Sequence, residues 1–438
     1  MNSIKQLLAT SKPFFIFWCM LAAFGTYFCM YAFRKPFNAG TYEGLTLWDI
    51  HYKTILIISQ VFGYMLSKFI GIKVISELKS TSRTKLIIGL ILFAETALLL
   101  FGLVPHPYNF FFLFLNGLPL GMIWGIVFSY LEGRRFTEVL AIGLSISLIV
   151  SSGILKTLYF DVREWFPAIT EFWMPFVMGL IFLPLFFVFV WMLSVIPAPS
   201  KEDMLARSPR LPMTGEDKRN VFRKYGWGVL CYIILYTFLA TLRDFRDNFA
   251  VEIWNEVDPG WNKNVFTQTE AITSVVVLIA IGSLSAIRSN LKGFWSVNGI
   301  IGLGFLISGS ASLLFQSGKI SPFWWMFLLG TGLFLAYMPM QIALFERMIA
   351  FFRVKANAGF FVYMCDSIGY MGSVVLMLYK EFFMKDLKWS LVLIKFTYLQ
   401  SVLSLTLLAV ACIFFFRLAI KTKVKEVDDV IVPEIQNA

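Results

Sequence analysis

The sequence predicts an all-α membrane protein of twelve transmembrane helices, arranged as two six-helix, pseudo-symmetric halves. Three observations carry that prediction. Hydrophobic residues fill 58% of the 438 positions and charged residues only 15%, against roughly 45–50% and about 25% in soluble domains. The apolar residues form long continuous runs, unlike the polar–apolar alternation of an outer-membrane barrel strand. One segment rich in Pro and charge, 197–225, divides those runs six and six. A soluble enzyme and a disordered scaffold are excluded by the composition alone.

A spanning helix needs about 20 mostly apolar residues. Runs of that kind cover 13–33, 54–74, 86–104, 109–131, 139–159, 173–196, 226–242, 266–287, 293–315, 322–345, 357–379 and 389–416. The first is too long for the apolar core of a signal peptide, and no A-x-A site follows it. These spans define an N-terminal bundle (1–196), a linker (197–225), a C-terminal bundle (226–420) and a tail (421–438). With the N-terminus in the cytoplasm, inner connections hold about twice as many Lys and Arg as outer ones. Both termini are therefore expected inside a bacterial inner membrane. The net charge of +11 reflects that bias and calls for no nucleic-acid partner.

Small residues point to close helix packing. Gly117, Gly121 and Gly125 repeat every four residues in the fourth span. Gly299, Gly302, Gly304 and Gly309 in the ninth do similar work, since no strand precedes them to make a dinucleotide fingerprint. His51 and His106 are the only histidines, and all five cysteines lie in apolar runs. Nothing there builds a disulfide framework, a metal site or a Ser-His triad. No cofactor, metal or enzymatic activity is expected.

Ionisable groups at membrane depth cost roughly 2.5–3.5 kcal/mol each on insertion scales, so they mark function. Arg34 and Lys35 end the first span in MYAFRKPFNAG. A snorkelling anchor is one reading. The pair nevertheless opposes the positive-inside trend, and residues 36–48 stay fairly apolar, so a continuing helix would carry Arg34 deeper. Arg243 ends the seventh span in TFLATLRDFRDNF, the equivalent place in the second half. There Phe245, Phe249 and Ile253 extend a helical apolar face, and Asp247 is spaced to pair with Arg243. Two such arginines would flank the pseudo-twofold axis, where carriers of this organisation bind substrate. Paired guanidinium forks suit a phosphate or carboxylate.

Other residues join this candidate anion site. Tyr31 and Tyr27, three and seven residues before Arg34, either offer hydroxyls or form an interface belt. Lys156 in the fifth span adds a third positive charge or snorkels outward. Asp247, Glu95, Glu270 and Asp366 carry protons, or balance the basic groups as buried partners. Glu132, Arg134, Arg135 and Glu138 make an inner charge cluster, a gate or a structural ion-pair group.

MYAFRKPFNAG resembles the end of helix 1 in organophosphate:phosphate antiporters. These form the branch of the major facilitator superfamily that includes the glycerol-3-phosphate and hexose-phosphate transporters. Tyr31, Arg34, Lys35 and Phe37 match the Tyr-x-x-Arg-Lys-x-Phe pattern, and Arg243 falls where the second essential arginine stands. Lys355, Ala356, Gly359, Phe360, Gly369, Tyr370 and Gly372 are similar to the family's helix 11. The resemblance implies alternating access and exchange of a phosphorylated metabolite for phosphate, with Arg34 and Arg243 as phosphate ligands. Two features depart from it. The fifth span has no histidine, and GYMLSK places Ser67 and Lys68 where the superfamily's Gly-x-x-x-Asp-Arg signature has its acid and arginine. The chain is also similar to an uncharacterised bacterial family of such membrane proteins. The expected function is transport of a small organic anion by a monomer in the lipid bilayer. A proton-coupled carrier of a neutral or cationic solute, using Glu95, Glu270 or Asp366, stays open, as does a non-transporting membrane sensor.

Overall fold

Among the described residues, twelve helices are long and apolar enough to cross a membrane: α1 Lys12–Ala32, α2 Tyr52–Gly71, α3 Arg83–Leu103, α4 Phe110–Leu131, α5 Ile142–Trp165, α6 Met174–Ser194, α7 Gly215–Asn248, α8 Asn264–Leu284, α9 Asn290–Gln316, α10 Pro322–Phe352, α11 Ala358–Phe383 and α12 Trp389–Ile420. The structure, a computed structural model, describes residues 2–76, 78, 80–131, 137–198, 215–287, 289–352, 354, 356, 358–385 and 387–435. Large apolar side chains such as Phe62, Phe93, Leu306, Val402 and Ile413 stand exposed on the outer helix faces. A soluble protein would bury them, whereas hydrocarbon is as apolar as they are.

The two halves repeat one packing scheme. In the first, α1 packs on α5 and α6, α2 on α4, and α3 on α4 and α6. In the second, α7 packs on α11 and α12, α8 on α10, and α9 on α10 and α12. The halves meet mainly through α5 against α8 and α2 against α11, contacts that a twofold axis would exchange. The internal repeat expected from span order is thus present in the packing itself.

Helix ends differ from the hydropathy reading where polar sequence stays helical. α7 starts at Gly215, inside the segment expected to be linker, with Glu216 and Asp217 in its first turn. Acidic residues there complement the helix dipole, and a polar extension is invisible to a search for apolar runs. The last helix likewise continues to Ile435, across the expected tail. Residues 199–214 of the linker lie outside the described residues. The break in α4 between Leu120 and Ile123 follows Pro119, which lacks an N–H to continue the ladder. α10 loosens after Pro339 into a π turn, Met340–Leu344, a device often found where a helix serves a site.

Close approach depends on glycine at α2–α4 and α9–α10. A Cβ on Gly117 would collide with the Gln60 carbonyl oxygen, and one on Gly304 with the Gly332 carbonyl oxygen. Gly299, by contrast, faces open space. Gly117→Val is therefore expected to destabilise the fold by about 1–3 kcal/mol, the usual cost of overpacking. Gly299→Val should cost less, with no overpacking term. Thermal unfolding of the purified variants checks this, and equal midpoints would contradict the assigned α2–α4 contact.

Candidate functional site: a cavity between the halves

A cavity of about 370 Å³ lies between the two halves. Tyr27, Tyr31, Arg34, Tyr64 and Lys68 line it from the first half. Arg243, Tyr337, Gln341, Asp366 and Tyr370 line it from the second. The two arginines predicted from span position therefore face one space, together with Tyr27 and Tyr31.

Arg34 reaches the cavity by a route the helical pattern did not indicate. α1 ends at Ala32, and the Phe33 and Arg34 amides bond back to the Met30 and Tyr31 carbonyls. The following residues, Pro36–Ala39, form a buried 3₁₀ turn. Pro36 cannot extend an α ladder, so the chain folds inward instead of continuing the helix. Arg34 is 7% exposed. Its guanidinium lies 3.8 Å from the Tyr64 ring centroid and 6.0 Å from that of Tyr31, within cation–π range. Its Nε is buried without a hydrogen-bond partner, and among the described residues no carboxylate pairs with it.

Arg243 is differently placed. Its Nε and Nη2 donate to Asp244 Oδ1 at 3.1 and 2.7 Å, and Ser373 Oγ donates to the other oxygen at 3.0 Å. The guanidinium sits 4.4 Å from the Tyr337 ring centroid. The expected Arg243–Asp247 pair does not form. Asp247 accepts instead from Lys35 and Lys156, each at 2.5 Å, and from Ser152. Lys35 and Lys156 consequently do not line the cavity, because a carboxylate from the opposite half holds them below its floor.

Lys68 and Asp366 form a second cross-half pair at 3.0 Å, between α2 and α11 and on the cavity wall. Tyr236 and Gln341 both donate to Asp366 Oδ1, Gln341 at 2.8 Å. Gln341 comes from the π turn of α10. Sequence reasoning treated Lys68 only as a departure from a loop signature. The available signal was a lysine at span depth in α2 facing an acid at matching depth in α11. Asp244, Tyr64 and Tyr337 were also missed, since short-range pattern does not show which helix faces meet.

The remaining candidates lie elsewhere. Glu270 pairs with Arg246 at 2.7 Å inside the second half, and Arg246 also donates to the Met326 carbonyl at 3.2 Å. Glu95 is buried between α3 and α6 beside Gly179, with neither oxygen hydrogen-bonded. Glu132, Arg134, Arg135, the side chain of Glu138, and Lys355 lie outside the described residues.

The ties between the halves are concentrated on the face away from the termini. Lys35 and Asn38 both donate to Asn248 Oδ1, at 3.0 and 2.7 Å. Lys53 pairs with Glu252 at 2.5 Å and His51 with Glu381 at 2.9 Å. Lys263 reaches Asp161 and Glu164 at 2.6 and 2.5 Å. Hydrogen bonds to those two carboxylates hold the Lys263 ammonium above its usual range. On the opposite face the cavity runs to Phe128, Ile142, Leu284, Asn290 and Ala358, at the termini-side ends of their helices. Among the described residues, the polar ties close the face away from the termini and the cavity extends toward the other.

The protein is a multi-pass integral membrane protein with the twelve-helix fold of the major facilitator superfamily. The nucleoside transporter NupG superposes with a TM-score of 0.58 at 15% identity, over 90% of this chain and 98% of that one. A bacterial homologue of the human lysosomal transporter Spinster gives 0.58 at 14%, over 95% and 98%. A bacterial homologue of the human drug peptide transporters PepT1 and PepT2 gives 0.61 at 13%, over 93% and 98%. At these identities the likeness is one of fold. The chain belongs to a family of unknown function, DUF5690, which matches residues 36–418. No curated protein matches it.

Removing one member of a buried ion pair strands the other, at a cost of about 3–5 kcal/mol. Asp247→Asn, which leaves two lysines uncompensated, should lower the thermal unfolding midpoint accordingly. A midpoint equal to that of the unaltered protein would show that this cluster does not hold the halves together.

Proposed function

We propose that the protein is a secondary transporter of a small organic anion, a phosphorylated metabolite exchanged for phosphate by alternating access. The observation that carries this reading is the Arg34 guanidinium: buried, facing the cavity, and without a hydrogen-bond acceptor among the described residues. A buried charge without a partner is costly, so a site that retains one is built to receive its counter-charge from a ligand. Arg243 faces the same space from the pseudo-symmetric helix, and the two forks offer parallel hydrogen bonds to a tetrahedral or carboxylate head. Tyr27, Tyr31, Tyr64 and Tyr370 supply hydroxyls and ring faces around it. The matched solved structures include proteins described as transporters of nucleosides and peptides, which supports a carrier.

In this reading Lys35 and Lys156 act in the closure of the far face, not as anion ligands. Rocking the halves would part their contacts with Asp247 and bring together the termini-side ends, exposing the arginines to the other compartment. The excess of Lys and Arg in the termini-side connections supports a reading in which that side faces the cytoplasm across a bacterial inner membrane. One chain encloses the whole cavity, so a monomer suffices. The second reading, a proton-coupled carrier of a neutral or cationic solute, would fall on Glu95, because Glu270 and Asp366 are engaged in ion pairs. Glu95 lies away from the cavity, and an unpaired guanidinium in the cavity repels a cation.

The test is uptake of radiolabelled phosphate by phosphate-loaded liposomes carrying the protein. Protein-dependent exchange is expected, with Arg34→Gln reducing it about 100-fold or more through loss of charged hydrogen bonds. Arg243→Gln should be similarly impaired while remaining folded. Exchange by both variants at the unaltered rate would overturn the site. No exchange by folded unaltered protein would remove phosphate antiport and favour first the proton-coupled carrier, then the sensor.

A further inference from the structure

We infer that the cavity accepts singly charged anions, and that Asp244 and Asp366 set this charge limit. The inference rests on the anion-carrier reading above and narrows its substrate class. Three cations stand around the anion position: Arg34, Arg243 and Lys68. Two of them are already neutralised. Asp244 takes two N–H bonds from Arg243, and Asp366 takes the Lys68 ammonium. Among the described residues around the anion position only Arg34 is left, so these walls carry one excess positive charge.

Neither carboxylate is free to swing aside for a second ligand charge. Asp244 is anchored through its other oxygen by Ser373 on α11. Asp366 is anchored through its other oxygen by Tyr236 on α7 and Gln341 on α10. Nearer the mouth, Glu346 and Arg347 add one charge of each sign. Beyond the floor, Lys35 and Lys156 share Asp247, which leaves that cluster one positive charge of its own, but none of the three lines the cavity. The pseudo-symmetric arginines are therefore electrostatically unequal.

A monoanion cancels the excess charge of the walls. A dianion reverses its sign, and the surplus stays in an aromatic, low-dielectric space that loses its water when the halves close. Phosphate would be carried as its dihydrogen form and a phosphate monoester with one proton retained. Phosphate diesters and carboxylates fit as they are. Asp244 and Asp366 touch no ligand in this scheme; they act by holding Arg243 and Lys68.

The discriminating experiment uses two probes of one shape, benzenesulfonate and phenylphosphonate. Each is a phenyl ring on a tetrahedral head with three terminal oxygens. At a mildly alkaline pH that fully ionises the phosphonate, they differ by one charge. Calorimetric titration of the purified full chain should give benzenesulfonate the tighter binding by about tenfold. Asp366→Asn and Asp244→Asn, each raising the excess to two, should reverse that order. If phenylphosphonate binds the unaltered protein at least as tightly, and Arg34→Gln abolishes binding of both, the anion site stands and the charge limit is overturned. If neither probe nor phosphate binds folded protein, both readings fall together. Tighter binding of phenylphosphonate by the unaltered protein overturns the charge limit even where an asparagine variant does not fold. An order that the asparagine variants leave unchanged would assign the preference to the probe heads and overturn the roles of Asp244 and Asp366.

Discussion

A charge at membrane depth must find an opposite charge, water or a ligand, and that requirement organises the interface between the two halves. Asp247 illustrates it. One carboxylate from α7 draws Lys35 and Lys156 out of the first half and binds both. Because it is occupied in this way, it is not available to Arg243, which turns to the adjacent Asp244. The closed face, the position of the lysines and the partner of the second arginine all follow from that single competition.

The same requirement bears on how an interface that is tight could also be parted, as the proposed transport needs. Buried ion pairs repay much of their Coulombic gain as desolvation, so their net contribution is small even though losing one partner is expensive. In the proposed carrier a seam of such pairs, Lys35–Asp247–Lys156 and Lys53–Glu252, with the more exposed His51 bonded to Glu381 beside them, would hold one face shut and still be exchanged for water as the halves rock. Apolar packing lies mostly within each half, where glycines let α2 approach α4 and α9 approach α10. Rigid halves joined by exchangeable polar contacts are what the proposed alternating access would require.

The helices themselves were legible because hydropathy is a local property. Twelve apolar runs, one central polar break and glycines at four-residue spacing give the spans and their packing without reference to contacts. Legibility fails at the first turn beyond the bilayer, where the acidic start of α7 is helical but not apolar. It fails again at Arg34. The apolar segment after it suggested more helix, whereas Pro36 turns the chain inward and buries the arginine by another path. Both outcomes place Arg34 deep, for different reasons.

By itself the sequence determined the membrane class, the order of spans and the two arginines at equivalent places in the halves, since each rests on composition or spacing along one chain. Tertiary structure alone decided which charges meet. Lys68 and Asp366 are separated by most of the chain and become partners only because α2 crosses α11. Asp247 and Arg243 sit four residues apart on one helix and do not pair, because lysines from the opposite half reach Asp247. Helical spacing states what can touch within a helix. Which face turns toward the other half is settled by burial and charge summed over all twelve.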